Sequence, residues 1–494
     1  MLRVLTCLFI GIFHCTLLAN GVQISNLTYD EANHTINFDL VVADQFRYTS
    51  TWNSSTRIFA KYKNANGSTF ETLYFNQTGH TVASSSNGFT LTYENTGHRV
   101  RVDSIDYWMG ITIFPNINYM ASDTLNVTLA IGDNMTLLNP DIKVFATEMI
   151  RANYLTDDQW YLGDAISPNR WHVGDDTLAA FFCDDFSPFD TINIGNGPND
   201  LNTLLPGGSL PSSFTGRVLI PPVSMMRYNI SQEQYVDFLN CLTRIQQNER
   251  TMIDLSGTTS PAQFVMTNYT GQVPSRNGIS CPTNIGTGPI EFFCDLNMNG
   301  IGNEVDDGQN IACNHLSVHD MLAYLDWAGL RPINEFHYEW LCRGENIPVP
   351  GEYAWGSTDL NSVGGVLNAG RSDERNSLLG VDGPNININV RRVGIAAGDS
   401  TTRVQAGATT WGHMDMSGNG AEIVRCLFES TDFVNMIVGD GQLDLMGNHN
   451  ELNWEGNYTH KGKFYSTDTQ TVSERQGSIL NHSNSFLQVG RGGI

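Results

Sequence analysis

Between residues 22 and 144, apolar and polar positions alternate in short runs: TINFDLVV from 35, RIFAKYK from 57, FTLTYE from 89, HRVRVDSI from 98 and DTLNVTLAIG from 123. A period of two, in runs rich in Thr, Val, Ile and aromatics, predicts strands with one face buried. Asn66-Gly67 and Asn87-Gly88 are turn dipeptides that accept positive φ. The segment reads as an all-β sandwich of immunoglobulin-like size, and its expected role is that of a spacer or adhesion module.

From residue 145 onward the alternation gives way to glycine-rich loops with a few helical patterns. SQEQYVDFLNCLTRIQQ opens with a capping box, Ser231 to Gln234, and sets Tyr235, Phe238, Leu239, Leu242 and Ile245 on one face of a single predicted helix. A second helix begins at Ser317, with Asp320 three residues on and Leu322, Leu325 and Ala328 along one face. A third runs from the cap Asn334 to the stop Gly344. His319 and His337 lie inside these helices without metal-ligand spacing, which assigns them to surface or packing.

Composition adds a compartment. Residues 1–21 carry Arg3, an apolar run from Val4 to Phe13 and the small-x-small site Ala19-Asn20-Gly21, the layout of a secretory signal with Val22 as mature start. That apolar run is too short for a stable membrane span. The net charge is −24 and only five lysines occur, scattered, which excludes the basic patch that nucleic acid requires. An exported chain this acidic stays soluble by self-repulsion and collects divalent cations.

Eleven Asn-x-Ser/Thr triplets are glycosylation candidates: Asn26, Asn33, Asn53, Asn66, Asn76, Asn126, Asn134, Asn229, Asn268, Asn457 and Asn481. Either they mark a glycosylated surface layer, or a chain rich in Asn, Ser and Thr forms them by chance. Seven cysteines follow the signal, Cys183, Cys241, Cys281, Cys294, Cys313, Cys342 and Cys426. Oxidising conditions predict some pairing, and an odd count leaves one thiol over.

The sharpest local chemistry is CDLNMNGIGNEVDDGQNIAC. Asp295, Asn297, Asn299, Gly300, Ile301, Asn303 and Asp306 fall at positions 1, 3, 5, 6, 7, 9 and 12 of a calcium loop, with Ile301 offering its carbonyl. Hard oxygen donors at this spacing predict Ca²⁺; the other reading is a solvated acidic loop. Cys294 and Cys313 bracket it, and with Cys281 are the disulfide candidates; a Cys294–Cys313 bridge would limit the freedom of the metal-free loop.

LRPINEFHYEWLCRGE from 330, GEYAWG from 351, WGHMDMSGNGAEIV from 411 and GRGG from 490, preceded by SMMRYNISQEQYVDFLN from 224, resemble the ordered motifs of the formylglycine-generating enzyme, or sulfatase-modifying factor, family. The resemblance spans about 270 residues. It implies an α+β architecture: the sandwich at 22–144, then from 145 to 494 a variant of the C-type lectin fold rich in irregular loops. It also implies a calcium held by Asp415, Gly418, Gly420 and Glu422, and a second calcium site whose Asn and neighbouring carbonyl would be Asn368 and Ala369.

The departures bear on activity. The family's catalytic cysteine pair follows R-G-G-S-W and binds copper, a soft ion that needs sulfur ligands. Here LQVGRGGI, 487–494, reads as a bend between two strands that abbreviates a domain, and Cys342 and Cys426 are assigned to burial or pairing. The expected function is that of a secreted or cell-surface, calcium-stabilised, non-catalytic structural or adhesion protein with copper not expected and no membrane span. Its expected partners are itself, in extracellular assembly, or surface glycans and proteins. The alternatives are a copper-dependent formylglycine-generating oxidase and a lectin-like ligand-binding display protein.

Overall fold

Strand β2 (Thr35–Gln45) buries Ile36, Phe38, Leu40 and Val42 and leaves the residues between them half exposed, as its alternation predicts. It lies between β1 (Val22–Asp30) and a later strand in the computed structural model of the chain. That model describes residues 21–46, 52–84, 89–92, 99–102, 105–115, 121–152, 160–162, 171–173, 181–183, 223–267, 274–344, 346, 349, 351–360, 364–378, 389–398, 400–425, 437–454, 458–461, 476–479 and 488–493. The expected leader up to residue 20, together with Asn268, Cys426, Asn457 and Asn481, lies outside the described residues.

The remaining strands of the first half are β3 (Asn53–Lys63), β4 (Glu71–Leu73), β5 (Thr81–Ser84), β6 (Phe89–Thr92), β7 (Arg99–Val102), β8 (Ile105–Trp108), β9 (Gly110–Pro115), β10 (Ala121–Ala130) and β11 (Asp141–Arg151). Sheet β1-β2-β10-β5 faces a sheet that contains β11-β3-β9-β6, with β4 also on β3. Between them Phe38 and Leu40 of β2 and Leu125 and Val127 of β10 pack with Ile58 and Ala60 of β3. Each of the larger side chains among these, from Val127 to Phe38, contributes about 1.5–3 kcal/mol when withdrawn from water. The β-sandwich is therefore present, and the described residues form a β-rich α+β structure.

Where the expected organisation differs is the boundary at 144. Strand β11 runs through it, paired over its full length with β3, and its far end pairs with β15 (Ser224–Met226). Beyond β15 the same sheet continues through β25 (Gly492–Gly493) to β18 (Arg331–Pro332). One sheet thus belongs to both halves. RIFAKYK reads as a strand with a wet face, yet Arg57, Phe59 and Lys61 are all buried against the second half. Arg57 Nη2 donates to the Gly329 carbonyl at 2.9 Å, Lys61 Nζ to that of Gly441 at 2.8 Å, and Phe59 meets Trp327 edge-on at 5.1 Å.

The second half holds α1 (Gln232–Leu239), α2 (Arg244–Glu249), α3 (Val318–Trp327), α4 (Glu335–Arg343) and α5 (Arg403–Ala406). The caps at Ser231, Ser317 and Asn334 form as predicted, and Gly344 closes α4 with φ 57°. The single helix expected from 231 is two: a second capping box at Thr243 and Gln246 restarts it. The register changes at that break, so Leu242 is buried while Ile245 is 60% exposed. Helix α3 is enclosed on nearly every side.

Short strand pairs fill the rest. Strands β12 (Trp160–Leu162), β13 (Trp171–Val173) and β14 (Phe181–Cys183) form one sheet; β16 (Ile279–Ser280) pairs with β17 (Phe293–Cys294), and β19 (Val366–Leu367) with β20 (Arg375–Asn376). A further sheet has the order β23 (Gln476–Ile479), β22 (Tyr458–Lys461), β21 (Ala421–Arg425), β24 (Gln488–Val489). GRGG therefore does bend the chain between two strands, β24 and β25.

Candidate functional site

Strand β17 delivers the chain into the acidic loop. Asp295 is fully buried; its Oδ1 accepts the Asn299 N–H at 3.1 Å, and its Oδ2 accepts the Gly300 N–H at 3.2 Å and Gln263 Nε2 at 2.7 Å. Asn297 accepts the Asn299 N–H at 2.9 Å and donates Nδ2 to Asp306 at 3.2 Å, while Asn299 accepts the Ile301 N–H at 2.7 Å. The coil is tight enough to hold Met298 at φ 62° and Gly300 at φ 81°. Asp295, Asn297, Asn299 and Asp306 are thus drawn together as the spacing predicts, and Ile301 sits at the exposed tip.

Two residues change the ligand set. Asn303 accepts the Cys294 N–H on Oδ1 at 3.0 Å and donates its own N–H to the Cys294 carbonyl at 2.8 Å. It clasps the base of the loop, so its side chain is committed to backbone rather than to a cation. Asp307, adjacent to the expected last ligand, is fully buried, with Oδ2 accepting the Glu304 N–H at 2.7 Å and Oδ1 without a partner. Burial, and then the charges of Asp295 and Asp306, raise its pKa above the usual carboxylate range. An orphaned buried oxygen costs about 1–3 kcal/mol, and a hard cation would satisfy it. The donor set Asp295, Asn297, Asn299, Asp306 and Asp307 therefore fits Ca²⁺.

The second expected calcium position is organised differently. Gly418 (φ 90°) and Gly420 (φ 118°) make the bend, and a Cβ at Gly420 would stand 2.5 Å from a Val489 methyl. Asp415 Oδ2 accepts the Gly394 N–H at 2.7 Å. Glu422 Oε1, however, accepts from Arg491 Nε at 3.0 Å and lies 2.8 Å from Nη2, with both side chains 1% exposed. A guanidinium holds Glu422 where calcium was expected at Asp415, Gly418, Gly420 and Glu422. Burial lifts Glu422 to about 7, against the pull of Arg491. Asn368, at φ 55°, donates its amide to Asp373 at 2.8 Å on an exposed turn.

The expected disulfides are not formed. Cys281, Cys294 and Cys313 are buried thiols, and burial pushes the last two well above the ordinary thiol range, with the charge of Glu233 adding to it at Cys294 and that of Asp320 at Cys313. Apolar surroundings that leave them protonated explain why they pack as small hydrophobes. Cys342 is buried as expected. His337 has packed, with both ring nitrogens lacking partners and its pKa driven well below normal by burial. Among the glycosylation candidates Asn26, Asn33, Asn66, Asn126 and Asn134 are exposed and Asn76 is half-buried. Asn53 and Asn229 are at most 1% exposed, so the folded protein has no room for a glycan on either.

One cluster carried no sequence signal. Carboxylate oxygens of Asp326, Asp440 and Glu451 lie within 4.8 Å of one another. Asp326 Oδ1 accepts the Gly441 N–H at 3.3 Å and Oδ2 the Asn450 N–H at 3.2 Å. Burial and the neighbouring charges lift Asp326 and Glu451 to about 7, while burial lowers Lys61 beside them to about 7. Beside one desolvated lysine, either Asp326 and Glu451 hold protons or the cluster holds a cation.

Among the described residues no helix is long and apolar enough to cross a membrane. No family model and no curated protein matches the chain. Among solved structures, a backbone protein of pilus 2b from group B streptococcus is similar at 13% identity over 42% of this chain and 86% of that one. Its TM-score of 0.13 carries no argument about fold or role.

Proposed function

We propose that the chain is a non-catalytic, calcium-stabilised structural or adhesion protein of the extracellular space, whose second half is a sulfatase-modifying-factor domain of the C-type-lectin kind. The observation that carries the domain reading is the convergence of its motifs on Arg491. That guanidinium donates to the Met226 and Arg227 carbonyls at 2.9 and 2.8 Å and to Asn229 Oδ1 at 2.9 Å in the entry segment, and to Glu422 and Met414 in the Gly-Asn motif. Tyr338 of the HYEW segment donates to the Met416 carbonyl, and Trp411 Nε1 to that of Trp340 at 3.1 Å. Motifs far apart in sequence that share one buried cation behave as a common core. In this reading their shared chemistry is architectural: it locks a lectin-like unit onto a sandwich through a shared sheet.

Calcium belongs to this reading as a staple of the 295–307 loop, and partners are a second copy of the chain or surface glycans. Incubation with Cu(I), oxygen and a sulfatase-type cysteine peptide tests it against the oxidase alternative. An unchanged peptide mass is expected; conversion of the cysteine to an aldehyde overturns it. Binding of one Ca²⁺ in equilibrium dialysis, lost in Asp295→Ala, is the positive counterpart.

A further inference from the structure

Strand β1 begins at Val22, and the residue before it, Gly21, is buried at φ 60° with its carbonyl accepting the Ala43 N–H at 2.7 Å. A Cβ at Gly21 would stand 2.5 Å from Glu148 Oε2. Standard bond lengths then place the Val22 nitrogen within about 6 Å of that oxygen. Glu148 belongs to β11 and is 3% exposed. Its Oε1 accepts from Arg227 Nη1 at 2.5 Å and from Gln45 Nε2 at 3.2 Å, whereas Oε2 has no partner. A bare oxygen on a buried carboxylate is costly, and a charged donor satisfies it best.

The charges around it leave room for one more cation. Asp44, near the end of β2, acts as a second negative charge on both Glu148 and Arg227. One guanidinium thus faces two carboxylates, and burial raises the Glu148 pKa in spite of Arg227. The sequence can supply a cation at this place by processing, because the small-x-small site Ala19-Asn20-Gly21 ends at the same bond. Hydrolysis of the Gly21–Val22 bond puts the oxygen of water on Gly21, which departs with the leader as a carboxylate, and turns the Val22 nitrogen into an ammonium. The departure of Gly21 clears the space against Oε2 and gives up its hydrogen bond to Ala43.

We propose that removal of the leader creates an internal ion pair in which the new Val22 α-ammonium turns onto Glu148 Oε2, a pairing that rests on the extracellular reading above, since an unprocessed chain has no ammonium there. The pair joins β1 of the first sheet to the shared sheet at β11 and, through Arg227, to the second half. Completion of the fold is thereby coupled to export.

A double-mutant cycle in urea denaturation tests the pairing, with a chain that begins at Val22 and one extended by Gly-Ser-Gly ahead of Val22, each with and without Glu148→Gln. The extension moves the ammonium away and restores a glycine carbonyl for Ala43, an effect that the cycle cancels. The ratio of folding constants, free over extended, should be at least fivefold larger with Glu148 than with Glu148→Gln. Should Glu148→Gln fail to fold, the pH dependence of carbamylation by cyanate gives the answer on the parent: the Val22 amine should titrate at least half a pH unit above its ordinary ~7.7–8.0. Equal ratios, or an amine that titrates normally, overturn the pairing. Sequencing the chain released by a secreting host separates the two readings. Val22 is expected as first residue; export with a different first residue overturns the pairing alone, and retention in the cell with the leader intact overturns the extracellular reading as well.

Discussion

Arg491 and Glu422 form an ion pair inside the core, with Nε to Oε1 at 3.0 Å and both side chains 1% exposed, so that a residue of a glycine-flanked bend is the cation around which the second half is organised. Removing one partner from a buried pair leaves the other charge uncompensated, at a cost of about 3–5 kcal/mol. Arg491→Met is expected to destabilise the protein by that amount in urea denaturation. Glu422→Gln added to Arg491→Met should cost little more, because the pair is already broken. Independent, additive losses would show that the two side chains do not act together.

Calcium is expected to raise the melting temperature, and a chelator to lower it. An ion that binds only the folded chain stabilises it by about 2.7 kcal/mol at a hundredfold excess over its dissociation constant. Asp307→Asn separates the ligand set that includes Asp307 from the one read from spacing, since it removes the charge of the orphaned buried carboxylate. This variant should lose most of the calcium response, whereas Asn303→Ala should lower stability equally with and without calcium, because Asn303 clasps the Cys294 backbone. The reverse pattern in differential scanning calorimetry would restore Asn303 as a ligand.

Local signals were readable in advance and distant ones were not. The capping boxes at Ser231 and Ser317 involve residues three apart, and the alternation in β2 reports a single buried face, so both are visible in the sequence. Strand β3 has the same alternation, but its polar residues are buried because the second half covers them, which no local pattern records. The Asp326 cluster joins segments 115 residues apart through the Gly441 N–H, and the pairing of Arg491 with Glu422 spans 69. In the acidic loop the spacing located the turn correctly, yet a side chain that bonds backbone and one that points inward look alike as letters. Asn303, which bonds the Cys294 backbone, and Asp307, which is buried, are such a pair.

The break between α1 and α2 has its own test. Thr243 accepts the Gln246 N–H at 3.3 Å and Gln246 returns a bond to the Thr243 N–H at 3.0 Å, whereas Ile245 is 60% exposed. Thr243→Ala should cost about 1 kcal/mol, the usual contribution of an N-cap. Ile245→Ser should stay within about 0.5 kcal/mol, as a surface change does. A continuous helix with Ile245 in its apolar face would invert the order, and chemical denaturation of the two variants decides between them.

Glu451 gives the pH dependence a defined sign. Its pKa rises from 4.5 to about 7 through burial and the charge of Asp440, with Asp326 close by and Lys61 the nearby cation. A carboxyl raised on folding binds more protons folded than unfolded between those values. Its contribution is complete below about 4.5 and is lost as pH rises through 7. His337 and His413, both depressed by burial, act in the opposite direction, their contribution failing as pH drops below 6.5. Comparing Glu451→Gln with the parent cancels those histidine effects. In chelator, the variant's stability relative to the parent should rise by about 1–2 kcal/mol between pH 5 and pH 7.5, a part of the full linkage because the cluster is partly solvated. A flat difference across that range would mean that Glu451 titrates normally. If the carboxylates instead share a cation, added calcium should favour the parent over Glu451→Gln at pH 7.5, reversing the difference measured in chelator.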